Sequence, residues 1–189
     1  MIKELITRSR SCRRFDQSYK IDQQILRELV DLARLSPSAA NLQPLKYILS
    51  RDDEKNGHIF PHLGWAGYLE EWSGPSRDER PTAYIIVLGD TTITRSFGCD
   101  HGIAAQSILL GAAEKGLSGC IIGSVDRGAL REALQIPAHL EVLLVIALGK
   151  PREEPKIEQI ASDGDIRYWR DEQGVHHVPK RSLDEIIIE

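Results

Sequence analysis

The segment HGIAAQSILLGAAEKGL, residues 101–117, is apolar on nearly every side once it is drawn as a helix, and this limits the folds open to a chain of 189 residues. Such a helix must be covered all round, so it belongs in the core or in a subunit interface. Asp100 stands where a residue can cap it, and Gly116 where it would terminate. Short β-rich runs flank it: KYILS at 46–50 and TAYIIVLGD at 82–90 before it, SGCIIGS at 118–124 and EVLLVIALG at 141–149 after it. Between the last two, Asp126 is placed to cap a helix carrying Leu130 and Leu134.

A second helix is expected after Asp22, burying Ile25, Leu26, Leu29, Val30 and Ala33 and ending before Pro37. Ile2, Leu5 and Ile6 give a shorter stripe at the N-terminus. Residues 51–80, with Phe60, Trp65, Tyr68 and Trp72 among Gly and Pro, have weak periodicity and are read as a short helix within loops. The last forty residues are polar and rich in turn formers until an apolar run, EIIIE at 185–189, which is read as a final strand. Alternating helices and short strands imply an α+β sandwich, one sheet with helices on its faces and an extended C-terminal tail. Nothing divides the chain, so residues 1–189 are read as a single domain.

The net charge of −4 argues against general affinity for nucleic acid or an anionic membrane. Cys12, Cys99 and Cys120 are scattered and form no CxxC pair, which argues for reduced thiols rather than a disulfide framework or a zinc site. With no signal-like or membrane-length apolar run, the expected location is the cytoplasm. His58 and His62 are separated by Pro61, which spoils helical metal-ligand geometry, and the adjacent His176 and His177 would point to opposite sides of an extended chain. Neither pair is read as a metal site.

Against that acidic background, Arg8, Arg10, Arg13 and Arg14 are dense in the stretch RSRSCRRFD at 8–16. Guanidinium and hydroxyl groups at a helix-to-loop junction suit a phosphate and an adjoining polyol, and a solvated charged face is the plainer alternative. Lys180 and Arg181 form a second basic pair able to converge on the same dianion. A further segment, SPSAANLQPLKY at 36–47, is small, polar and punctuated by proline where a helix has just ended. It is either a plain loop or a surface shaped for a close, flat neighbour.

RSCRRFD, SPSAANLQPLKY, DHGIAAQSILLGAAEKGLSGCIIGS and VLLVIALGKP occur in the order and spacing of the flavin-dependent nitroreductase family, which the chain resembles over nearly its whole length. The resemblance implies a nitroreductase-like sandwich with a mostly antiparallel central sheet. It also implies a homodimer with FMN at two interfacial sites, passing electrons from NAD(P)H to a small nitro or quinone-like acceptor by a ping-pong route. It places Arg10, Ser11 and Arg13, with Cys12 between them, on the phosphate, ribityl and pyrimidine contacts, and Lys180 or Arg181 beside the phosphate. Pro37, Ser38 and Ala39 would approach the ring edge, often from the neighbouring subunit, while Asn41 and Gln43 fix the loop or bond the flavin. Ile122, Gly123 and Ser124 match the turn whose N–H groups face N5 and O4. The chain departs from the family in having Gly123 where many members carry an acidic residue and Leu45 where an aromatic follows Gln-Pro, so the acceptor stays open. No residue is read as a nucleophile or proton donor, because the cofactor carries the chemistry. A flavin-binding module without turnover is the alternative.

Overall fold

The computed structural model describes residues 1–160 and 164–188. In chain order the elements are α1 (Ile2–Arg8), β1 (Phe15–Asp16), α2 (Gln23–Leu35), β2 (Leu45–Ser50), α3 (Asp53–Ile59), β3 (Ala83–Asp90) and α4 (Asp100–Glu114). They continue with β4 (Ser118–Ile122), α5 (Arg127–Ala133), β5 (Leu140–Pro151), β6 (Lys156–Gln159), β7 (Trp169–Arg170), β8 (His176–Lys180) and α6 (Leu183–Ile186).

The central sheet runs β1-β5-β3-β2, with β4 also on β5, and every pairing in it is antiparallel. All eight residues of β3 are buried, and its side chains alternate between two cores. Ala83, Ile85 and Val87 face one core with Leu26 and Leu29 of α2 and Ala105 and Ile108 of α4. Tyr84, Ile86 and Leu88 face the other with Ile59, Leu63 and Leu130 of α5. The expected sandwich is therefore present, with helices covering both faces of a sheet that neither face could leave in water.

The local signals act as read at most places. Asp22 accepts from the Gln24 N–H at 2.8 Å and Asp126 from the Ala129 N–H at 3.0 Å, so each caps its helix. α4 ends before Gly116, whose φ of +70° takes the chain out of the helix. Asp100 differs from expectation. It is the first residue of α4, Cys99 holds the cap position without a side-chain bond, and the Asp100 carboxylate is turned elsewhere. The apolar surround of α4 is largely absorbed by its own chain: Ile108 and Leu109 lie in the core, and Ile103 is the large apolar residue it leaves exposed.

The tail departs from expectation. β6 and β8 pair in parallel and β7 and β8 antiparallel, a three-stranded sheet built from short polar strands that show little alternation in sequence. The expected final strand is instead the short helix α6. Ser182 and Glu185 form a reciprocal capping box there, which satisfies the first helical N–H groups. Ile186, Ile187 and Ile188 are exposed, and Glu189 lies outside the described residues.

Candidate functional site

The segment after α2 is held by Asp100. Ser38 Oγ donates to Asp100 Oδ2 at 2.6 Å, the Ala39 N–H donates to Oδ1 at 3.0 Å, and Ser38 Oγ accepts from the Gln43 N–H at 2.9 Å. Three non-glycine residues nearby are left-handed: Ala40 (φ 49°), Asn41 (φ 55°) and Gln43 (φ 50°). Asparagine tolerates this conformation; alanine and glutamine adopt it at a cost, so the carboxylate works against stored strain. Gln43 also fixes the loop through its side chain, donating to the Asn41 carbonyl at 3.1 Å. Behind the loop a cavity of about 170 Å³ is lined by Pro37, Ser38, Gln43, Tyr47, Asp100 and Ala104. Burial, and then the Asp100 charge, push the Tyr47 phenol up to about 12, so it stays a neutral hydroxyl.

The basic segment lies along β4. Cys12 donates its N–H to the Gly119 carbonyl at 3.0 Å, and Ser11 bridges the same residue. Cys12 is buried, its thiol pushed up to about 12 by burial and the Glu153 charge, so it packs rather than reacts. Arg10 folds back on α1, donating to the Ser9 and Ile6 carbonyls at 2.9 and 3.0 Å. Arg14 is committed to Glu79, its Nε at 2.8 Å.

Glu153 organises what remains. Its side chain is 2% exposed; Oε1 accepts from the Arg13 and Arg14 N–H groups at 2.6 and 3.2 Å, and Oε2 pairs with Arg170 at 2.9 Å. The Arg13 guanidinium lies 5.0 Å over the Tyr168 ring, with Nη1 3.4 Å from His176 Nε2. Tyr168 in turn meets Tyr68 at 5.0 Å between ring centroids. Burial holds His176 down at about 4, so its ring is neutral near pH 7. His177, on the other side of the strand as expected, bonds Glu158 and Asp171 at 2.9 and 3.0 Å.

The turn after β4 is open. Gly123 and Ser124 are exposed, and a Cβ on Gly123 would meet nothing within 4 Å. Residues 62–65 run beside this turn: Leu63 bridges Val125, and the Gly64 N–H donates to the Ser124 carbonyl at 2.7 Å. Part of the 51–80 stretch thus borders the Gly123 turn.

Ser11 and Cys12 meet Gly119 at the start of the strand that leads to residues 122–124, whereas the 36–43 loop bonds to Asp100 of α4 and to itself, and Ser36 at its start bonds to Ser107. Lys180 ends β8, four residues beyond His176, so about 13 Å of strand separates it from the Arg13 contact. Arg181 pairs with Glu185 at 3.3 Å. Glu153 and Tyr168 had no motif to reveal them, Asp100 was legible only as a helix cap and His176 only as one of a non-ligating pair; the signal available for Glu153 was its place just after a buried strand.

The residues present fit a flat heteroaromatic group with a polar edge. Buried polar atoms stand without a partner at His176 Nδ1 and Arg170 Nε on the Arg13 side and at Trp65 Nε1 near the Gly123 turn, and buried groups of that kind call for one. Among the described residues, no cluster of His, Cys, Asp and Glu is arranged for a metal, and no helix is long and apolar enough to cross a membrane.

Comparison with known proteins agrees with the fold. The model of the Nitroreductase family matches residues 6–73 and 79–150. An oxygen-insensitive NADPH nitroreductase of Helicobacter pylori is 33% identical over 200 residues, covering 88% of this chain and 95% of that protein. An NADPH-flavin oxidoreductase of Vibrio harveyi is 30% identical over 164 residues, covering 82% of this chain and 68% of the other. Among solved structures, a nitroreductase family protein of Streptococcus pneumoniae superposes with a TM-score of 0.71 at 20% identity, covering all of both chains. An FMN-dependent nitroreductase of Clostridium difficile gives 0.65 at 23%, covering 82% of this chain and 89% of its own. A sandwich with helices on both faces of an antiparallel sheet and a family match over most of the length define one class. The chain belongs to the nitroreductase family.

Proposed function

We propose that this chain, as one domain over residues 1–189, is an FMN-dependent oxidoreductase that oxidises NAD(P)H and reduces a small electron-poor acceptor, nitro or quinone-like, in two half-reactions at one site. The observation that carries this reading is Arg13, fixed through its backbone by buried Glu153 next to the strand that ends at the open Gly123 turn. Bound FMN supplies a carrier for a hydride equivalent.

The chain's own residues supply position and charge. Arg13 would hold the pyrimidine edge, where its guanidinium favours negative charge on the ring. Ile122, Gly123 and Ser124 would offer backbone to the opposite edge, the missing Cβ of Gly123 leaving room for close approach. Ser11 would bond the ribityl chain. Arg10 and, from the tail, Lys180 or Arg181 would neutralise the phosphate, Arg10 and Arg181 after leaving their present partners. Because the 36–43 loop makes its bonds away from the basic segment, a second copy of the chain would bring Pro37, Ser38, Ala39, Asn41 and Gln43 to complete the site as a homodimer.

Spectra of the purified protein, followed by stopped-flow mixing with NADH and NADPH, test the proposal. Bound FMN that bleaches rapidly supports it; FMN that neither donor bleaches supports a binding module instead, and folded protein that takes up no flavin ends both. Replacing Arg10 and Lys180 with Ala should weaken FMN binding while leaving riboflavin, which lacks the phosphate, nearly unaffected.

A further inference from the structure

We propose that the cavity of about 560 Å³ between α3, the Arg77–Glu79 turn and β3 binds a small aryl carboxylate, with Arg80 as its anchor. None of the residues assigned above to the flavin lines it. The Arg80 guanidinium carbon lies over the Phe60 ring, 3.9 Å from its centroid, and its Nε is buried without a partner. Among the described residues no carboxylate pairs with it, because the nearby acids are engaged. Asp78 holds Arg152, Glu79 holds Arg14 and Asp53 holds Lys20.

A buried guanidinium N–H left unpaired carries a desolvation cost that a ligand oxygen can remove. Contact with the Phe60 ring covers one side of the fork and leaves its edge N–H groups, which can take a carboxylate bidentately. Arg77 adds a second positive charge on the wall. The part-exposed Phe60 supplies an apolar face for an aromatic body, backed by the buried Pro81 and Tyr84, and the volume lies in the range of small-molecule sites. Burial raises the Tyr84 phenol and the Arg80 charge opposes that rise, which places the two groups close together.

Calorimetric titration of the protein as purified with benzoate, benzamide and inorganic phosphate tests this, with Arg80→Gln and Arg80→Lys as variants checked by circular dichroism. Benzoate should bind saturably, benzamide and phosphate at least about tenfold more weakly, and either variant should lose about tenfold or more, since bonds to a charged group of this kind are worth that much. Arg80→Lys keeps the charge and so remains informative if Arg80→Gln does not fold. The inference is overturned by an absence of benzoate binding, by benzamide or phosphate binding equally well, or by benzoate affinity that survives both substitutions. Benzoate that instead shifts the visible flavin spectrum, and does so equally in the variants, is bound at the flavin and also refutes an Arg80 site.

Discussion

Asp100→Ala should release the 36–43 loop, and the structure sets the size of the effect. The carboxylate is 5% exposed and accepts two hydrogen bonds, from Ser38 Oγ and the Ala39 N–H. Hydrogen bonds to a charged group contribute roughly 1.5–3 kcal/mol each. Losing a negative charge from the first turn of α4 removes a further ~0.5 kcal/mol. Relief of strain at Ala40, Asn41 and Gln43 returns part of this, so the net loss should be about 3 kcal/mol. Urea denaturation measures the global part. Native-state hydrogen exchange at the Ala39 and Gln43 amides measures the local part, expected to speed up by roughly 100-fold. Asp100→Asn keeps one acceptor oxygen and should fall about midway. A variant within ~0.5 kcal/mol of the parent, with both amides exchanging at parental rates, would show that the loop keeps its left-handed turns without Asp100.

Glu153→Gln should cost about 2 kcal/mol on chemical denaturation, because it leaves the Arg170 charge in a buried pair uncompensated while still accepting from the Arg13 and Arg14 N–H groups. A combined Glu153→Gln, Arg170→Met protein should recover part of that loss, and strict additivity would mean that the pair is not coupled. The two adjacent histidines should titrate on opposite sides of the ordinary 6.5 in ring-proton NMR, His176 down at about 4 through burial and His177 above 6.5 through Asp171 and Glu158. His176 thus stabilises the fold above pH 6.5 and loses this as pH falls towards 4; His177 stabilises it below 6.5 and loses this as pH rises through its raised value. The tail sheet should be best held near pH 6.5, and two titrations on the same side of that value would contradict the assignment.

What could be read from sequence depended on how local the controlling force was. The caps at Asp22 and Asp126 and the stop at Gly116 act within one turn of helix, and the buried strands announce themselves as runs of branched residues. Asp100 misled because its position satisfies a local rule while its carboxylate serves a loop sixty residues away. The tail misled for the converse reason. β6, β7 and β8 are short and polar, held by pairing with one another and by His177 between two carboxylates, and none of this leaves a periodic trace. EIIIE looked like a strand on side-chain preference, yet the Ser182–Glu185 box just before and within it sets a helical turn. At the site, motifs marked the segments but not their supports: Glu153 and His176 reach Arg13 only through tertiary contact.

β5 joins β1, β3 and β4 directly, and only β2 reaches the central sheet without touching it. During synthesis the ribosome releases β1, β3 and β4 before residues 140–151 exist to pair with them. The nascent chain therefore carries β3, buried on both faces in the finished protein, with one edge bare and its Ile and Val residues uncovered. Closure has to wait for a single late strand, so folding should be slow to begin and abrupt once β5 emerges. In that interval β3 is the segment a chaperone would be expected to shield.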